Sequence, residues 1–258
     1  MKIRIFDSHS HYDDDAFDSD RLSLLESLSS NGVVGVINAG CSVKSSEDAA
    51  ALAQKFPFIY SAAGIHPQEA QSVDISDINR IREIAKQNKV IAIGEIGLDY
   101  HYEGYNKDKQ INLFELQLQL AKELKLPVII HDRDAHADTM ELLKKYKPNG
   151  VIHCYSGSVE MANELIKLGF YLGFTGVVTF KNAKRVADVI RAIPINRILA
   201  ETDCPYMAPE PFRGKRCDSS MVKYIIERIA QIRDIDPEQM AEQIIKNTKE
   251  CFGIKFKV

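Results

Sequence analysis

The chain alternates short apolar runs with longer stretches in which apolar residues recur at helical spacing. The runs predict strands over residues 3–7, 33–39, 59–64, 90–95, 128–131, 150–153, 171–174 and 197–201. Most are rich in Ile and Val, as strands covered on both faces of a parallel sheet are. Amphipathic segments fill the gaps. In 111–124, Leu113, Phe114, Gln117, Leu120, Ala121 and Leu124 follow the helical period and are mostly apolar. In 221–235, Ile225, Ile229 and Ile232 share a face. Asp236 followed by Pro237 predicts an N-cap and a first-turn proline, with Gly253 ending that helix; Gly32 and Gly169 close earlier helices just ahead of a strand. Eight strand–helix units point to an α/β fold, a single closed (β/α)8 barrel of the TIM type over 1–258, rather than an open doubly wound sheet. No GxGxxG follows the first strand, so a dinucleotide-binding fold has little support. No linker, low-complexity tract or shift in composition marks a domain boundary.

Five of the apolar runs end in a histidine or a carboxylate: IFDSHSH (Ile5 to His11), IAIGE (Ile91 to Glu95), VIIH (Val128 to His131), VIH (Val151 to His153) and ILAETD (Ile198 to Asp203). In a parallel barrel the carboxyl ends of the strands gather at one rim, so these side chains predict one shared metal site there. His9 and His11 are two apart and point to the same side of an extended chain. An H-x-H alone reads equally as a chance pair; its place at the end of the first strand favours ligation. Glu95 ends a strand, where an unpaired buried charge is costly. It reads either as salt-bridged to a barrel Lys or Arg, or as a ligand bridging two ions. His131 and His153 end the fifth and sixth strands. Asp203 reads as a turn residue before Cys204-Pro205, or as a ligand that also takes a proton from an attacking water. The last strand lies beside the first, which brings Asp203 towards His9 and His11, with Glu201 behind it. His66 ends the third strand and suits a substrate contact or proton carrier. His136 falls in a helical pattern, and His101 in a loop without an assignable role. Imidazoles mixed with carboxylates suit Mg, Mn or Zn.

Lys and Arg number 33 against 36 Asp and Glu, a formal net charge of -3. That argues against a broad basic surface for coating nucleic acid, though not against a pocket for a few phosphates. MKIRIFDSH enters a strand without the layout of a signal peptide, and no apolar run approaches the roughly 20 residues of a membrane span. The five cysteines are scattered with no C-x-x-C pair, consistent with reduced thiols in a cytoplasmic protein. None sits in a histidine-paired context that would support a nucleophile.

Taken together, DSHSH at Asp7, AGIHP at Ala63, IGEIGLDY at Ile93, IHDRDA at Ile130, IHCYSG at Ile152, GFTGVVTFK at Gly173, ETDCPY at Glu201 and PFRGKR at Pro211 resemble the TatD-like metal-dependent deoxyribonucleases of the amidohydrolase superfamily. The resemblance covers nearly the whole length. It implies two divalent ions, one held by His9, His11, Glu95 and Asp203, the second by Glu95, His131 and His153. Glu95 stands where many related amidohydrolases use a carboxylated lysine. His66, Arg133 and the loop 213–216, with Arg213, Lys215 and Arg216, fall where family members contact substrate phosphate, although a short charge run also reads as a solvated loop. After PFRGKR the chain departs from many relatives, reading Cys217-Asp218-Ser219-Ser220 in a loop expected to border the pocket, which leaves substrate preference open. The implied activity is two-metal exonucleolytic cleavage of DNA from single-stranded ends, with Asp203 and Glu95 catalytic and no obligate protein partner or membrane. A D-aminoacyl-tRNA deacylase or another metal-dependent ester or amide hydrolase is the alternative. A non-catalytic binding barrel would show degraded ligand positions, and none is degraded.

Overall fold

In a computed structural model describing residues 3–255, eight parallel strands follow one another in sequence order around a nearly closed barrel. They are β1 (Ile5–Ser10), β2 (Val33–Ala39), β3 (Ile59–Ala63), β4 (Val90–Asp99), β5 (Val128–Arg133), β6 (Gly150–Ile152), β7 (Tyr171–Phe174) and β8 (Ile198–Ala200). The alternating helices are α1 (Arg21–Leu28), α2 (Val43–Lys55), α3 (Ile75–Ala85), α4 (Lys107–Leu124), α5 (His136–Tyr146), α6 (Val159–Lys167), α7 (Lys184–Ala192) and α8 (Val222–Arg233), followed by α9 (Pro237–Phe252). This is the predicted (β/α)8 barrel. The seam between β8 and β1 is a single bridge between Ser10 and Cys204. There the His11 N–H donates to the Cys204 carbonyl (2.8 Å) and the Asp203 N–H to the His9 carbonyl (3.0 Å).

The apolar residues sort onto two sides of the strands, as the two-residue period requires. Phe6, Ile37, Ala62, Ala92, Ile129, Val151 and Leu199 form one buried cluster with Ile245, Cys251, Phe252 and Ile254. Cys251 and Phe252 lie beside Val90 and Ile91, so the end of α9 covers the barrel where its strands begin. Neighbouring strand residues such as Val36, Ala63, Ile93, Ile130 and Ala200 belong instead to the larger cluster shared with the helices. The helix punctuation is as expected at α9. Asp236 accepts from the N–H groups of Glu238 and Gln239, and Gly253 follows in the left-handed conformation (φ 65°).

Two strands run further than their apolar content suggests. β4 continues to Asp99 and β5 to Arg133 because Gly97, Leu98 and Asp99 pair in register with His131, Asp132 and Arg133. Gly97 has φ 145°, and a Cβ there would strike the His131 backbone, so this close pairing needs glycine. Among the described residues no helix is long and apolar enough to cross a membrane.

Candidate metal centre

The strand ends deliver six side chains to one point. β1 carries His9, with His11 just beyond it; β4 carries Glu95, β5 His131, and the turns after β6 and β8 carry His153 and Asp203. His9 Nε2 and His11 Nε2 face each other at 3.0 Å. Glu95 Oε2 is 3.2 Å from His9 Nε2 and 3.6 Å from His11 Nε2; Asp203 Oδ1 is 3.7 and 3.3 Å from the same atoms. The other Glu95 oxygen, Oε1, lies 2.8 Å from His131 Nδ1, 3.8 Å from His66 Nε2 and 4.0 Å from His153 Nε2. His153 Nε2 is also 3.6 Å from Asp203 Oδ1. No Lys or Arg pairs with Glu95 among the described residues, so the salt-bridge reading of that carboxylate has no partner. Asp203 is both a turn residue, accepting from the Tyr206 N–H, and a member of the cluster.

The donor set fits a divalent cation. His11 Nδ1 is 2.9 Å from the Ala39 carbonyl, which can only accept; the proton therefore sits on Nδ1, and in the neutral ring Nε2 presents a lone pair to the cluster. His9 Nδ1 is buried without a hydrogen-bond partner. Two imidazole nitrogens at 3.0 Å, backed by two carboxylate oxygens, call for positive charge between them. A tetrahedral ion with bonds of about 2.0–2.2 Å sets its donors roughly 3.3–3.6 Å apart, close to the separations here.

The electrostatics follow from burial opposed by close partners. Burial alone would raise Glu95, but His9, His153 and the hydrogen bond to His131 hold it well below the usual carboxylate range. Asp203 is likewise lowered, burial being outweighed by His153 and His11. Burial would lower His131, yet its pairings with Asp99 and Glu95 lift it to about 10. His153 is lifted to about 9, with Glu201, Asp203 and Glu95 overriding burial. His66 goes the other way: burial pushes it down to about 4 against the pull of Glu95, so its ring is neutral at pH 7.

A cavity of about 380 Å³ opens over the cluster, with His11, His66, Glu95, Arg133 and Asp203 among its walls. Arg133 is held at its edge, donating to the Tyr102 hydroxyl (3.1 Å) and stacking over that ring at 5.1 Å. A larger cleft of about 750 Å³ lies between α1 and α2, lined by residues such as Asp18, Arg21 and Lys44, and lacks the histidine cluster. The structure does not bring Arg213, Lys215 or Arg216 to the rim cavity. Arg216 is paired with Asp20 (2.6 and 2.8 Å) and lies over Phe17, while Arg213 lies over Phe180 and Lys215 over Phe212. The divergent segment after them supports the site from below instead of bordering it. Ser219 is buried and donates to Asp7 Oδ2 at 2.6 Å; Asp7 also accepts from Thr202 and from the His9 N–H, tying β1 to the turn after β8. His136 pairs with Asp132 and His101 with Asp134, both outside the cluster.

Three neighbours of the cluster, Asp99, Cys41 and Gln68, escape the sequence reading, while Glu201 is the group expected behind Asp203. Asp99 Oδ2 sits 3.2 Å from His131 Nε2 and accepts from Gln68 Nε2 at 3.0 Å. The alternation of Glu95, Gly97 and Asp99 on one side of a strand is the signal that finds Asp99. Cys41 Sγ lies 3.7 Å from His11 Nδ1 and 3.8 Å from Glu95 Oε2; burial pushes its thiol up to about 11. Cys41 and Gln68 arrive on loops after β2 and β3, and nothing local in the sequence announces them. Glu201 is buried, its Oε1 accepting from the Cys154 N–H at 2.7 Å and its Oε2 from Ser8 at 3.1 Å. His153 Nδ1 is 2.9 Å from Glu201 Oε1 but out of line for a hydrogen bond.

A family model described as TatD related DNase matches residues 6–253. The chain is 41% identical to a Bacillus subtilis protein named uncharacterized metal-dependent hydrolase YabD, over 97% of this chain and 99% of that one. It is 34% identical to a Citrobacter koseri protein named 3'-5' ssDNA/RNA exonuclease TatD, over 93% and 95% of the two chains. The crystal structure of YjjV, a TatD homologue from Escherichia coli K12, matches with a TM-score of 0.93 at 29% identity, covering 99% of this chain and 100% of that one.

Proposed function

The chain belongs to the TatD-related DNase family, and from that premise we propose that it is a hydrolase that uses two divalent ions to shorten single-stranded DNA from its ends. The observation that carries this reading is the division of Glu95: Oε2 faces His9 and His11, while Oε1 faces His131 and His153. A carboxylate whose two oxygens serve two sets of imidazoles is what a pair of ions sharing one ligand requires. His9, His11, Glu95 and Asp203 would hold the first ion; Glu95, His131 Nδ1 and His153 Nε2 would hold the second. Mg, Mn or Zn suits these donors.

When bound, such ions neutralise a phosphodiester, acidify water and stabilise both the attacking and the leaving oxygen. The chain's own groups supply the rest. Asp203 is held ionised and is the more exposed of the cluster's two carboxylates, so it takes the proton from the attacking water. Arg133 is positioned by Tyr102 to donate to phosphoryl oxygens, where its planar fork matches two of them. His66 is neutral at pH 7 and contacts the phosphate by a hydrogen bond rather than by charge. A cavity recessed at a barrel rim admits a frayed end more readily than an intact duplex. The name of the Citrobacter koseri relative motivates cleavage from the 3' end.

The test gives the metal-loaded protein end-labelled single-stranded DNA and, in parallel, D-tyrosyl-tRNA, each with and without chelator. Progressive shortening of the DNA from its 3' end, abolished by chelator and restored by added divalent ion, is the expected result. Released amino acid with intact DNA would overturn the nuclease reading in favour of an ester hydrolase.

A further inference from the structure

Beside the cluster lies a second cavity of about 320 Å³. It is walled by Phe174 at the end of β7, by Val177 and Val178 in the turn that follows, by Val186 on α7 and by Met207 in the loop after β8. We propose that this cavity seats the base of the terminal nucleotide while its phosphate is at the cluster; the inference rests on the nuclease reading above.

His131, Arg133, His153 and Asp203 line both this cavity and the one over the cluster. The two spaces therefore share a wall of charged and imidazole groups. A phosphoryl group held against that wall leaves its attached nucleoside facing the apolar side. The volume is at the lower end of the roughly 300–1,000 Å³ range of small-ligand pockets, suited to one nucleoside rather than a length of strand. The chemistry of the lining suits an aromatic ring: aliphatic side chains and the rings of Phe174 and Tyr155, with Asp132 the charged group that lies outside the shared wall.

Two of the polar groups that reach the cavity are already engaged. The Tyr155 hydroxyl donates to the Ser158 carbonyl at 2.6 Å, and Thr175 Oγ1 pairs with Cys154 Sγ at 3.6 Å. Asp132 Oδ1, buried without a hydrogen-bond partner, is the exception, so the pocket offers chiefly burial and ring contact, with one acceptor for a base edge. The binding is then carried mainly by contact with the base's faces, as in single-strand binders that use stacking more than hydrogen-bond readout.

The experiment compares kcat/KM of the metal-loaded protein on two labelled strands that differ only at the 3' terminal residue, one normal and one carrying an abasic tetrahydrofuran. The normal end is expected to be cleaved faster by roughly 10- to 100-fold, the scale of one stacked base. Val186→Phe, which fills the cavity, is expected to bring the ratio close to one. Met207→Ala, at an exposed position and safe for folding, is expected to lower it several-fold. Equal rates on both strands in the unaltered protein, or a ratio that survives both substitutions, would overturn the pocket and leave the nuclease standing. Cleavage of neither strand would remove the nuclease reading and the pocket with it.

Discussion

Asp99 Oδ2 lies 3.2 Å from His131 Nε2, while the same ring turns Nδ1 to Glu95 Oε1 at 2.8 Å. The imidazole is therefore held between two carboxylates from one strand, four residues apart. With Nε2–H committed to Asp99, Nδ1 is the atom left for an ion. Partners of this kind fix the tautomer and ring angle of a ligating histidine, and losing one costs about 10- to 100-fold in metal affinity. Asp99→Ala is expected to weaken the second of two ions by that factor and to spare the first. Calorimetric titration of the chelator-stripped variant reads both. An equal shift at both ions, or at neither, would remove this role.

Glu95→Gln keeps the shape of the shared ligand and removes its charge. Because each oxygen faces a different set of histidines, both ions should weaken together. Hydrolysis is expected to fall by roughly 10²- to 10³-fold, the usual scale for removing one aligned electrostatic group. Circular dichroism should show the barrel intact, since the apolar clusters do not include Glu95. Retained activity with two ions still bound would contradict the bridging assignment.

The lifted histidines make a pH prediction of definite sign. In the stripped protein His131 is at about 10 and His153 at about 9, both above the ordinary histidine value of 6.5. Their contribution to stability is then complete below about 6.5 and is lost as pH rises through about 9 to 10. The unfolding midpoint of chelated protein should fall across that window. His11 is also held well above its usual range, with Cys41 and Asp203 overriding burial. At pH 7 three rings must therefore shed a proton before ligating, so loading the metals should release about three protons. Calorimetry in two buffers of different ionisation heat measures the number, and a buffer-independent heat would count against the ligand set.

The barrel is legible in the sequence because strands covered on both sides read as continuous apolar runs, and each candidate ligand is legible because it lies at or just past the end of one. What lies beyond those ends is less so. Asp99 and Arg133 are strand residues only because β4 and β5 keep pairing past their apolar portions, a property of two segments together. Cys41 and Gln68 reach the cluster on loops whose paths depend on the assembled rim. A cationic loop does not reveal which way it faces: Arg216 is drawn to Asp20, nearly two hundred residues earlier. Ser219 looks like a departure at the pocket edge, yet it is a buried support for Asp7.

That dependence on buried supports yields a last prediction, at Gly173 on β7. A Cβ there would collide with the Glu201 carboxylate, which no rotation of a methyl group can relieve. Glu201 cannot withdraw without cost, because its oxygens serve the Cys154 N–H and the Ser8 hydroxyl and lie against His153. Gly173→Ala should therefore destabilise the protein by about 1–3 kcal/mol, as overpacking a filled interior does, and should displace His153 towards the cluster. Glu201→Gln separates the two effects, since it keeps the volume and the acceptor for Cys154 but removes the charge facing His153. Urea unfolding should therefore show the larger loss for Gly173→Ala, and metal content should fall in both variants. A Gly173→Ala protein with unchanged midpoint and full metal content would show that the rim tolerates this crowding and that Glu201 does not hold His153 in place.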